Sequence, residues 1–183
     1  MSQVIIAGDT SGTITLQAPA VSGSTTLTLP ATTGNFLTST TQLIGTGTTT
    51  NNDASAGQVG EYVVSTIASS GTSLTTGSYV NVTSISLTAG DWDINGICSF
   101  TSPGSPVISY LNWGSSLTSA TAGVNGAISS YTGGSVNTVD FSLPFPTFRY
   151  SLSGTTTIYL VARASWTTST MSSYGSIRAR RVR

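Results

Sequence analysis

The chain contains no histidine and no lysine, and only one of its 183 residues is cysteine. Each absence removes chemistry. Without histidine there is no Ser-His-Asp or Cys-His activation of a nucleophile, no HExxH zinc motif and no mixed Cys/His zinc site. Without lysine there is no Walker A loop and no Schiff base. A lone thiol, Cys98, excludes an internal disulfide and reads as a small buried hydrophobe. No basic segment followed by an apolar core opens the sequence, so no signal peptide is expected, and the sequon Asn81-Val82-Thr83 has no expected use. No apolar run approaches membrane-spanning length, so membrane insertion is not expected either. What remains open to an enzyme is a pair of carboxylates drawn from Asp91, Asp93 and Asp140, with nothing nearby to mark a sugar cleft. No catalytic residue and no cofactor is assigned, and the expectation is a protein that is not an enzyme.

Charge is scarce as well. Six arginines balance six acids, and charged residues make up 7% of the chain. A surface with so little charge is poorly protected from association and suits burial against copies of itself, so a homo-oligomer is expected. The abundant residues are Ser, Thr and Gly, with Val, Ile and aromatics among them. Thr, Val, Ile and the aromatics favour strands, Gly and Ser supply turns, and no window has the Ala, Leu, Glu and Lys richness of a stable helix. The fold class follows: all-β.

Residues 1–56 differ from the rest. Thr13-Ile14-Thr15-Leu16 and Thr26-Leu27-Thr28-Leu29 form a near-repeat of alternating apolar residues, each closed by a proline, Pro19 or Pro30. Two such strands cannot bury their apolar face alone. The region is expected to be an attachment arm or stem that docks on another protein, with 39–57 as a linker. From Gly57 onward the spacing predicts one β domain. Its strands are expected at 61–67, 78–90, 91–100, 106–113, through Phe148 and Tyr150, at 155–166, and at 174–183, and 114–138 reads as loop. Val80 and Val82 share one parity while Ile85 and Leu87 share the other, which predicts a bulge near Thr83-Ser84. About eight strands with long loops suggest a sandwich or jelly roll.

Two motifs compete for a functional role. Residues 91–96, DWDING, fit the opening of a calcium loop, with Asp91, Asp93 and Asn95 before Gly96. The twelfth position, which should carry a bidentate glutamate, is Ser102, and the flanks are strand-like. Trp92 and Ile94 stay in phase with Cys98 and Phe100 across Gly96, so a core strand is expected rather than a metal loop or a hairpin turn. The second motif is the arginine tail, Arg178, Arg180, Arg181 and Arg183. These are interleaved with Ile177, Ala179 and Val182 and lack the aromatic company of a nucleic-acid patch. A last strand is expected whose arginines pair with acids, Asp91 and Asp93 among them, within or between subunits. Tyr110, Trp113 and Tyr131 sit in or beside loop-rich segments. They are expected to fill the core or a subunit interface; the alternative is that they stack on host-surface glycans.

The stretches TSISLTAGDWDINGICSF and TTTIYLVARASW…YGSIRARRVR, taken in order, resemble the C-terminal domain of many phage fibre and virion surface proteins, a C1q/TNF-like jelly roll whose final strand returns to the middle of a sheet. The likeness covers roughly 57–183. The arm AGDTSGTITLQAPAVSGSTTLTLPATTG resembles a repeat of phage structural proteins. This resemblance implies a homotrimer on the virion surface, made in the host cytoplasm and held to a capsid or tail protein through residues 1–56. The arm is short for a long fibre, which brings a head spike or capsid decoration protein level with a tail fibre.

Overall fold

The structure, a computed structural model, describes residues 3–7, 13–17, 50–132 and 140–183. The chain divides into two compact units, Met1–Gly47 and Thr48–Arg183. In the first, β1 (Gln3–Ala7) and β2 (Thr13–Gln17) form an antiparallel pair in which Gln3 faces Gln17 and Ala7 faces Thr13. The first copy of the near-repeat is thus a strand, and the second, 26–29, lies outside the described residues.

The second unit is a two-layer sandwich of eight antiparallel strands. They are β3 (Tyr62–Ser73), β4 (Val80–Leu87), β5 (Gly90–Thr101), β6 (Val107–Ser116), β7 (Ile128–Thr132), β8 (Asp140–Leu152), β9 (Thr156–Thr167) and β10 (Ser172–Arg181). One sheet runs β3-β10-β5-β8 and the other β4-β9-β6-β7. Consecutive strands mostly alternate between layers, and the last strand enters the first sheet between β3 and β5. This order is that of an eight-stranded jelly roll.

The layers meet where period-2 alternation turns apolar side chains inward. On β5, Trp92, Ile94, Cys98 and Phe100 are all buried. Beside them in the same sheet β10 contributes Ile177 and Ala179, and from the facing sheet β9 contributes Ile158, Leu160, Ala162 and Ala164. Phe100 meets Trp113 edge to face, with ring centroids 6.2 Å apart. DWDING is therefore the first half of a core strand. Gly96 keeps that strand in phase because there is no room for a side chain at its position. A Cβ there would collide with the Ser176 carbonyl and lie 2.8 Å from the Phe145 ring, and β5 shifts register against β8 between Ile94 and Gly96.

Three segments differ from the sequence reading. The bulge that reconciles Val82 with Ile85 and Leu87 falls between Asn81 and Thr83, slightly earlier than predicted. The supposed loop 114–138 contains the end of β6 and all of β7, which pairs Gly114 with Ile128 and Tyr110 with Thr132. Pro144 and Pro146 do not delay β8, which runs from Asp140. Being an edge strand, it tolerates residues that cannot donate to a second neighbour.

Candidate functional site

The sandwich offers three chemically distinct places: a charge clasp at one end of the first sheet, and the outward faces of the two sheets. The clasp is built by the end of β10. The backbone ladder continues past the strand, with Gly60 N donating to Arg181 O, Arg181 N to Glu61 O and Val182 N to Asp91 O. This fixes which side chains meet. Arg181 follows the inward parity of Ile177 and Ala179, so its guanidinium turns onto Trp92, 4.3 Å from the ring centroid. It is 5% exposed. Its Nε donates to Glu61 at 2.9 Å, Nη1 to the Ala89 carbonyl at 2.7 Å and Nη2 to Thr88 Oγ1 at 2.5 Å. Gly90, with φ +138°, leaves the space that the guanidinium fills.

Asp91 has the outward parity but is also buried. Arg149 Nη2 reaches its Oδ2 at 2.7 Å, and Arg183 Nε donates to the same oxygen. The hydrogen bond from Arg149, opposed by burial and aided by Arg183, holds the Asp91 carboxyl at about 2. Glu61 is also held below its ordinary value, first by the Gly57 backbone N–H and then by Arg181 against its burial. Carboxylates pinned in the ionised state by arginines are unsuited to donating a proton. Asp140 cannot join Asp91 as a second carboxylate. It pairs with Thr101 at the far end of β5, about 30 Å from Asp91 at the usual strand rise.

The structure thus brings Asp91 together with Arg183 but adds Arg149, and it sends Arg181 to Glu61 rather than to Asp91 or Asp93. Nothing local in the sequence singles out Arg149 or Glu61, because they lie 58 and 120 residues from their partners. Asp93 makes no ion pair among the described residues. It faces Arg180 and Arg149 in register, while Arg178 Nε donates to Asn95 Oδ1 at 2.5 Å.

These residues line a cleft of about 420 Å³ on the outward face of the first sheet, bounded by Tyr62, Asp93, Asn95, Thr147, Arg178 and Arg180. The same face exposes three large apolar side chains, Tyr62 at 39%, Val64 at 51% and Ile97 at 40%. No group of three His, Cys, Asp or Glu converges among the described residues. Cys98 is buried beside Ser173, and burial pushes its thiol up to about 12, which makes it inert.

The three aromatics proposed as sugar contacts do not form one surface. Trp113 belongs to the core at 6% exposure, its Nε1 donating to the Pro144 carbonyl at 3.0 Å, and so presents no free face to a ligand. Tyr131 pairs with Leu111 and Tyr110 with Thr132. Paired residues share a face, which places Tyr131 on the side of buried Leu111 and Tyr110 on the opposite, outward side. Tyr110 instead joins Tyr79 in flanking Arg163, whose Cζ is 5.6 Å from one ring centroid and 5.7 Å from the other.

No protein-family model matches the chain, and no curated protein matches it. Among solved structures, that of the infectious bursal disease virus Gx strain is 16% identical with a TM-score of 0.45, covering 67% of this chain and 32% of that one. The VP2 subviral particle of the same virus is 16% identical with a TM-score of 0.40, covering 65% of this chain and 32% of its own. The chain thus spans about a third of the length of those proteins.

Proposed function

We propose that this chain is a non-enzymatic bacteriophage virion structural protein, a short trimeric fibre or spike or a capsid decoration protein. In this reading it docks on a capsid or tail protein through residues 1–56 and presents the jelly roll on the virion surface. The observation that carries the proposal is the outward face of the β3-β10-β5-β8 sheet. Tyr62, Val64 and Ile97 stand exposed there beside Arg178 and Arg180, in a chain with few charges to oppose association. A second copy covering that face would bury the apolar side chains and surround the arginines with acceptors. The mechanism requires no bond-breaking chemistry: weak contacts repeated over many copies become strong through multivalency.

Native mass spectrometry of the full chain tests self-association, with a trimer expected and dissociation expected for Val64→Lys. A wild-type monomer at micromolar concentration refutes the oligomer. Immunogold labelling of intact particles tests the location, and absence from purified particles refutes the virion assignment. The alternative, a tail-fibre tip recognising host glycans through Tyr110, Trp113 and Tyr131 together, loses support from the burial of Trp113 and the opposed face of Tyr131.

A further inference from the structure

Arg178 and Arg180 line the cleft on the outward face of the first sheet, and their own chain leaves both charges uncompensated. Arg178 Nε donates to Asn95, a neutral acceptor, at 2.5 Å. The Arg180 guanidinium makes no hydrogen bond or ion pair among the described residues. Asp93 lies in the same cleft, in register with both Arg180 and Arg149, and one carboxylate does not balance two exposed guanidiniums. Burying such charges without a partner is strongly unfavourable. A second copy that covers this face must therefore bring an acid with it.

In a closed ring of three, every contact joins two different surfaces of the chain, so that acid lies off the face. Glu61 and Asp91 are held by the clasp. Asp140 accepts from Tyr174 Oη with both oxygens, at 2.9 and 3.1 Å, and Asp9 lies outside the described residues. Asp53 is different: it is exposed, and its carboxylate has no hydrogen bond or ion pair among the described residues. The segment that carries it is already folded. Gln58 N donates to Ser55 O and Glu61 N to Gln58 O, both at 3.0 Å, and Gly57 N reaches Glu61 Oε2 at 2.7 Å. Gly60 N, donating to Arg181 O, ties the segment to the end of β10 beside the edge strand β3. A pre-folded segment loses little conformational freedom on docking. The same segment exposes Val59 at 68%, an apolar side chain to match those of the face.

We propose that segment 50–60 of one copy docks on the β3-β10-β5-β8 face of the next, with its Asp53 entering the cleft to pair with Arg180. The guanidinium fork suits a carboxylate, which takes two parallel N–H bonds, and Val59 adds apolar contact beside Tyr62 and Val64. The contact joins the flank of one copy to the face of the next, which is the head-to-tail kind that closes a ring. It rests on the self-association proposed above and names the two surfaces that meet.

The test is native mass spectrometry of the full chain over a concentration series. Asp53→Arg and Arg180→Asp are each expected to weaken the trimer by about tenfold or more, and the two together to restore it, because the exchanged charges attract again. Asp9→Arg and Asp140→Arg change the net charge as Asp53→Arg does and are expected to leave the trimer intact. Near-ultraviolet circular dichroism checks that each variant folds. A wild-type monomer overturns the oligomer and this contact with it. A wild-type trimer that survives both single variants refutes the contact and leaves the oligomer standing, as does a double variant no more associated than the singles. Dissociation of Asp9→Arg or Asp140→Arg to the same extent as Asp53→Arg assigns the effect to net charge and refutes the pairing. If Arg180→Asp does not fold, Asp53→Arg compared with those two controls decides alone.

Discussion

Replacing Arg181 by methionine tests the clasp as a stabilising element rather than a surface ion pair. Methionine keeps an apolar stem over Trp92 but removes the charge and all three donors. The Thr88 and Ala89 acceptors lie in exposed residues and are rehydrated, so each lost hydrogen bond costs about 0.5–1 kcal/mol. The guanidinium over Trp92 is nearly sequestered, at 5% exposure, and a desolvated cation–π contact contributes up to about 2 kcal/mol, of which a methionine sulfur near the ring restores about half. With the bond to Glu61 also lost, the expected destabilisation is about 3 kcal/mol, near the lower end of what removing one partner of a buried pair costs. For a domain of this size that corresponds to a fall in Tm of about 10 °C. The assay is thermal and urea unfolding followed by tryptophan fluorescence, at matched protein concentration because self-association shifts Tm. At about 1 M salt, where the Debye length is about 3 Å, the loss persists if the site is buried and fades if it is a surface pair. A variant within about 0.5 kcal/mol of wild type refutes the reasoning, since that is the range of ordinary surface substitutions.

Asp91 predicts a pH dependence. Its folded-state value of about 2 lies below its ordinary 3.8, so the unfolded chain binds the proton more tightly. The clasp's contribution is therefore present above about 4 and is lost as pH falls toward 2. Melts across this window are expected to show a shallower acid limb in Asp91→Asn, and an unchanged limb counts against the pairing. Cys98, buried with its thiol pushed up to about 12, is expected to resist a thiol reagent at neutral pH and to react fully in urea; rapid labelling of the native protein contradicts its burial. Gly96→Ala places a methyl group 2.8 Å from the Phe145 ring and against the Ser176 carbonyl. It is expected to cost about 1–3 kcal/mol or more in urea unfolding, and a neutral result means that β5 and β10 are not so close.

What could be read from the sequence was what local alternation encodes. The phase of Trp92, Ile94, Cys98 and Phe100 identifies a core strand through a glycine, and the parity change after Val82 requires an extra residue there. The period-2 signal fails where a strand is not half-buried. β7, with Ser129, Ser130 and Tyr131, is a short edge strand whose side chains are mostly exposed or partly exposed, so selection for an apolar face is weak. Val161 shows the converse: its outward parity on β9 predicts exposure, yet it is fully buried. The face it occupies is crossed by the segment after β6, where Ser119 and Ala120 bond to Asn81. Pairs such as Glu61 with Arg181 depend on tertiary register, and nothing in either local stretch announces them.

Because the chain has so few charges, their placement is informative. Glu61, Asp91, Arg149, Arg181 and Arg183 gather at one end of the sandwich and pair with one another there. That leaves two outward faces of different character: one with Tyr62, Val64 and Ile97 beside Arg178 and Arg180, the other with Arg163 among tyrosines and hydroxyls. The outward faces of a two-layer sandwich lie on opposite sides, so covering one leaves the other open. The proposed self-association is therefore expected to depend on only one of these two faces. Val64→Lys should lower the assembly mass, and Arg163→Gln on the opposite face should leave it unchanged. If both variants lower the mass after correct folding is checked by near-ultraviolet circular dichroism, the assignment of self-association to the β3-β10-β5-β8 face fails.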